Sequence, residues 1–152
     1  AGASDYAPDS LKAAEDAKAA LDTELKAQEE KFALFRSYKK AAELAGAAKA
    51  AGEKAAADAK TRKEQVKQEA TTLINDAKTA LTEAKDKLAK APKGKGTAAD
   101  LKQLESDLTS VESSLTEAES ALTAERFLDA KAKAEADTST IGNVTQQIEQ
   151  AI

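Results

Sequence analysis

Leu101, Leu104, Leu108, Val111, Leu115, Ala118 and Leu122 recur at alternating steps of three and four residues. That spacing returns every one of them to a single side of an α-helix, whereas a strand would need alternation by two. A helix with one narrow apolar seam and charged flanks is stable only with the seam covered, so this stretch calls for partner helices. The chain supplies them. Leu11, Ala14, Ala17, Leu21, Leu25, Phe32 and Phe35 form a second series, with Gln28 its only polar member, and Val66, Ala70, Leu73, Ala77, Leu81, Ala84 and Leu88 form a third. No stretch has the pattern of a strand. The expected fold is all-α, an elongated antiparallel helical bundle or coiled coil.

Composition narrows the kind of bundle. Of the 152 residues 41% are hydrophobic, but with three Phe, two Tyr and no Trp most of that fraction is alanine. Alanine removes little surface from water, so the helices must gain stability from length and close approach. A length of 152 residues fits one domain with a real core, taken here as residues 1–152.

Local signals place the helices. Pro8, Asp9 and Ser10 mark a start, because proline is tolerated only in the first turn and Asp or Ser can cap free amides. Residues 1–8 then read as an extended lead-in, with Tyr6 free to dock on a neighbouring helix. Gly46 and Gly52 bracket a weak break, Pro92 with Lys93-Gly94-Lys95-Gly96-Thr97 a definite loop, and Thr138-Ser139-Thr140 with Gly142-Asn143 a second weak segment. Three long helices follow, over about 9–45, 53–91 and 98–136, the last extended beyond a kink near 137–143 by a short piece at 143–151. The alternative is a single very long helix over 9–91, since Ala14, Leu21, Phe35, Ala42, Ala56, Ala70, Ala77, Ala84 and Ala91 keep one seven-residue register and no Pro, Asn or Asp marks a loop there. Residues Arg36 to Lys67 carry nine basic and four acidic side chains, and Ala98 to Glu125 one basic and seven acidic. These two stretches are expected to face each other.

Several function classes are excluded by residue type. With no His and no Cys the usual nucleophile–base arrangements and the commonest zinc sites cannot be built. No segment has the alternating oxygen ligands and central glycine of a calcium-binding loop. Lys93 to Thr97 precedes a helix but lacks the upstream glycine and the strand of a phosphate loop. Carboxylate pairs such as Glu29 with Glu30 and Glu117 with Glu119 fall at solvent-facing positions. A net charge of −4 offers no general attraction to nucleic acid. No catalytic, cofactor-binding or metal-binding residue is therefore assigned, no cofactor is expected, and the chain is expected not to be an enzyme. Asn143-Val144-Thr145 matches a glycosylation triplet of the kind that arises often by chance.

Two groups of residues are candidates for interaction. Ile141, Val144, Ile148 and Ile152 form a stripe that projects past the other helices in a three-helix register, so a partner, a second copy or a fold-back must cover it. Phe32, Phe35 and Tyr38 lie among Arg36, Lys39 and Lys40, where they form either core or a docking patch. The expected partner is another protein or a second copy. Zero Met, with a start at Ala1-Gly2-Ala3, fits removal of a signal peptide, so the chain is expected to be exported, periplasmic or associated with an outer membrane. No apolar run approaches the roughly 20 residues needed to cross a bilayer, which leaves membrane contact to an N-terminal anchor outside this chain.

Tyr6-Ala7-Pro8 followed by an alanine–leucine helix, and later Glu125-Arg126-Phe127-Leu128-Asp129-Ala130-Lys131-Ala132-Lys133-Ala134, resembles the small alanine-rich bacterial envelope lipoproteins of an uncharacterised helical domain family, over about half the chain. The resemblance implies a membrane-tethered periplasmic helical protein without known enzymatic activity, although no lipobox cysteine is present, and it brings no site residues. The function expected is that of a spacer, scaffold or binding adaptor of the envelope. Ala47 to Ala91 is also similar to late-embryogenesis-abundant and apolipoprotein-type helices, which implies as an alternative the reversible binding of lipid or another apolar ligand by an opening bundle. A narrow leucine seam suits a closed bundle better than a lipid surface.

Overall fold

The computed structural model describes residues 2–92 and 98–150, and within them every regular element is helical: α1 (Ala3–Tyr6), α2 (Pro8–Glu29), α3 (Lys39–Lys90), α4 (Ala98–Thr123) and α5 (Phe127–Gln150), with one 3-10 turn at Ala33–Phe35. The all-α expectation holds; the three-helix division does not. The chain separates into two compact units, Ala1–Glu64 and Gln65–Ile152, and α3 contributes its first half to one and its second half to the other.

In the first unit α2 and the first half of α3 form an antiparallel hairpin. Ser10 Oγ donates to Asp58 Oδ2 at 2.5 Å near one end, and Lys40 Nζ pairs with Glu24 Oε2 at 3.0 Å near the other. The reversal lies between Glu30 and Tyr38, inside what the stripe predicts to be one helix, and neither the turn at 46–52 nor the continuous helix over 9–91 forms. Gly46 and Gly52 both sit inside α3, with open space where a side chain would project. A glycine costs a helix only about 1 kcal/mol, and the burial of Ala41, Ala55 and Ala59 in this half of α3 outweighs it. The lead-in also differs from the extended one expected. Residues 3–6 make a single helical turn, Ala7 occupies the cap position without a side-chain bond, and Pro8 begins α2. Ser10 is thereby freed from capping and reaches Asp58 instead.

The second unit is an up-down-up bundle of Gln65–Lys90, α4 and α5. Its register is written in ion pairs. Lys78 with Glu119 and Lys85 with Glu112 (2.6 Å) run α4 antiparallel to α3, Lys133 with Glu117 (2.7 Å) runs α5 antiparallel to α4, and Lys131 with Glu69 and Lys87 with Glu149 (both 2.6 Å) run α5 parallel to α3. Lys78, Lys85 and Lys133 are among the cations that pair with the acidic α4. Apart from the part-buried Lys131–Glu69 pair, these pairs are exposed and contribute only about 0.2 to 1 kcal/mol each, so the pairs select the register while the seam supplies the stability.

The seam itself falls into two apolar clusters. One is small-sided, built on Ala70, Ile74, Ala118, Ala121, Ala130 and Ala134; the other is larger-sided, from Leu81 through Leu101, Leu104, Leu108, Val111 and Leu115 to Ile141, Val144 and Ile148. Asp137 lies between Ala134 and Ile141 on the buried stripe of α5, at the step between the clusters. The helix α4 ends at Thr123, and the turn to α5 is closed by Glu125 N–H donating to the Leu122 carbonyl and Arg126 N–H to the Ala121 carbonyl. This paired bonding needs a left-handed residue, and Glu125 takes it with φ 58°. The expected kink at 137–143 is absent. Thr138 and Thr140 donate their hydroxyls to the Ala134 and Ala136 carbonyls, and Ile141 and Val144 pack into the core, so burial overrides weak helix propensity.

Candidate interaction surface

The reversal in the first unit is built around Gln28, the one polar member of the α2 stripe. Its side chain is 5% exposed; Nε2 donates to Glu24 Oε1 at 2.7 Å, and Oε1 accepts the Ser37 amide at 2.9 Å, nine residues along the chain. One amide group therefore ties the last turn of α2 to Ser37, two residues before α3. The bond from Gln28, reinforced by Lys40, holds the Glu24 carboxyl below its ordinary range.

Arg36 closes the other side of the loop. Its Nε donates to the Lys31 carbonyl at 3.0 Å and Nη2 to the Glu29 carbonyl at 2.9 Å, which places a fixed cation on the free carbonyls at the negative end of α2. Between these braces Phe35 N–H donates to the Phe32 carbonyl at 2.8 Å, forming the 3-10 turn. These bonds brace the turn from within. The side chains have nowhere inward to go.

As a result Phe32, Leu34, Phe35 and Tyr38 stand 70%, 82%, 75% and 48% exposed, with the two phenyl rings 6.4 Å apart and tilted by 51°. All ten residues from 31 to 40 are exposed. Exposed large apolar side chains gathered at one turn differ from the scattered ones every surface carries, which makes this turn the candidate contact surface. Spacing alone put Phe32 and Phe35 on the helical stripe. Two signals ran against it: a glutamine inside the stripe, and Leu34, a large apolar residue off it.

The other candidate group is core. Ile141, Val144 and Ile148 are 2%, 3% and 0% exposed and pack against α3 and α4, so fold-back covers them and they present no docking surface; Ile152 lies outside the described residues. Lys93 to Thr97 also lies outside them. Glu117 is paired with Lys133, which holds its carboxyl below and the lysine above their ordinary ranges, and Glu119 is paired with Lys78. Among the described residues no three Asp or Glu side chains gather as a metal site would require, and no helix is long and apolar enough to cross a membrane. No family model matches the chain, and no curated protein and no solved structure is significantly similar to it.

Proposed function

We propose that this chain is a non-enzymatic interaction protein, an exported adaptor or spacer of a bacterial envelope, and that Phe32, Leu34, Phe35 and Tyr38 are its contact surface. The observation that carries this reading is a turn braced by Gln28 and Arg36 whose largest apolar side chains face water. Such an arrangement costs solubility without adding to the core, so its use lies in what it meets. The closed seam of the second unit supports the spacer element, because α3, α4 and α5 cover one another along the stripe from Leu101 to Ile148. The absent His and Cys support the non-enzymatic element.

The test is association with native envelope fractions. The triple variant Phe32→Ser, Leu34→Ser, Phe35→Ser should keep its helical signal and melting behaviour and lose at least about tenfold in association, as loss of a central aromatic cluster does at interfaces. Association equal to that of the parent chain would remove the loop as the contact surface.

A further inference from the structure

We infer that the loop at 31–40 docks on an anionic bilayer surface, its aromatic tip entering the headgroup region and its lysines meeting lipid phosphates. The inference rests on the reading of this loop as the contact surface and names what it contacts. Lys31, Arg36, Lys39 and Lys40 are basic and no residue from 31 to 40 is acidic; with Glu29 and Glu30 counted, this end of the hairpin remains cationic. The net charge of −4 on the whole chain does not oppose it. At physiological salt a charge acts over only about 8 Å, so an approaching surface responds to the tip and not to the remainder.

Size and shape separate a bilayer from a protein partner. The exposed parts of Phe32, Leu34, Phe35 and Tyr38 add up to roughly 500 Å² if each aromatic offers about 150–250 Å² when wholly bare. A stable protein interface takes about 800 Å² from each side, and this tip is convex, formed at a sharp reversal. A bilayer interface conforms to a small projecting group, favours aromatic rings at headgroup depth, and attracts adjacent lysines. Part of the loop's backbone is already paired before any lipid arrives: the Ser37 amide on Gln28, the Phe35 amide on the Phe32 carbonyl, and the Lys31 and Glu29 carbonyls on Arg36, which lowers the cost of entering the headgroup region.

The chain has no tryptophan, so Phe35→Trp places a single reporter at the tip. Its emission is followed with vesicles of pure phosphatidylcholine and of phosphatidylcholine containing roughly one-third phosphatidylglycerol, at salt on the order of 0.1 M. The expected result is a blue shift with the anionic vesicles alone, with affinity falling about fivefold for each of Lys31→Gln and Lys39→Gln. Circular dichroism keeps the variants comparable. No shift with either vesicle, or the same shift with both, overturns the inference. If the vesicles give no shift while envelope association still depends on Phe32, Leu34 and Phe35, the contact is a protein and only the lipid assignment falls. If that association is also lost from consideration, both readings fall.

Discussion

Asp137→Asn tests how the core of the second unit is held. Asp137 is 5% exposed, and its Oδ2 has no partner. Burial pushes the carboxyl above its ordinary value of 3.8, against the pull of Ser114 and Lys133 and with a further push from Glu117. Asparagine keeps the side chain's size and polarity and removes only the charge, and burying a charged group costs more than burying a neutral amide; with Lys133 at hand to offset part of it, the difference is on the order of 1 kcal/mol. For a cooperative unit of about 60–100 residues, 1 kcal/mol corresponds to roughly 4–8 °C in melting temperature, so the variant should melt higher by that amount near pH 7. The sign follows from linkage. The folded chain binds the Asp137 proton more tightly than the unfolded chain, so this group's contribution is intact below about pH 3.8 and is lost as pH rises through the folded value. The advantage of asparagine should therefore shrink toward zero near pH 3, where both side chains are neutral. Glu24, Asp58 and Glu117 have lowered values and shift in the opposite sense, stabilising above their ordinary values and losing that contribution as pH falls. Glu24 and Asp58 lie in the first unit, are common to both proteins and cancel in the difference, while Glu117 responds to the Asp137 charge only as a minor correction. Melts followed by circular dichroism at the two pH values suffice. An asparagine variant that melts no higher near pH 7, or whose advantage persists undiminished in acid, refutes the reasoning.

Two other substitutions address the hairpin. Gly46→Ala and Gly52→Ala should each stabilise by about 1 kcal/mol, because α3 runs through both and nothing occupies the space their methyl groups would take; destabilisation by either would place a turn there after all. Gln28→Ala should speed hydrogen exchange of the Ser37 amide about tenfold by removing its buried acceptor, and an unchanged exchange rate at Ser37 would show the loop to be held by other bonds.

Helical class and most seam residues were legible because period is a property of many positions at once. Leu101 through Leu115 are buried as their spacing predicts, and so are Val66, Ala70, Ala77, Leu81 and Ala84, while Leu73 is only partly buried and Ile74 takes its place in the core. Both chain reversals that fall among described residues were misplaced, for one reason: each uses a residue that carries no turn signature. Glu125 takes a left-handed conformation that glycine usually fills, and the first reversal is held by a glutamine and an arginine acting across several residues. Conversely, the glycines and hydroxyl residues that do signal turns lie inside α3 and α5, where neighbouring burial decides. The candidate surface followed the same exchange. Ile141, Val144 and Ile148 have the spacing of either a core or an interface, and only the parallel run of α5 beside α3 separates the two. Phe32 and Phe35 share a stripe with Leu25 on paper, and the Gln28 bond to Ser37 takes them off it.

Half of the buried apolar residues in the described chain are alanines, from Ala7 to Ala134. A methyl group has no rotamers to freeze on folding, and it exposes little hydrocarbon when the chain opens. The heat-capacity increment of unfolding, which grows with newly hydrated hydrocarbon, should then fall below the usual 12–15 cal/mol/K or so per residue. A small increment flattens the dependence of stability on temperature, so this polypeptide trades a high peak for a broad plateau that extends toward the cold.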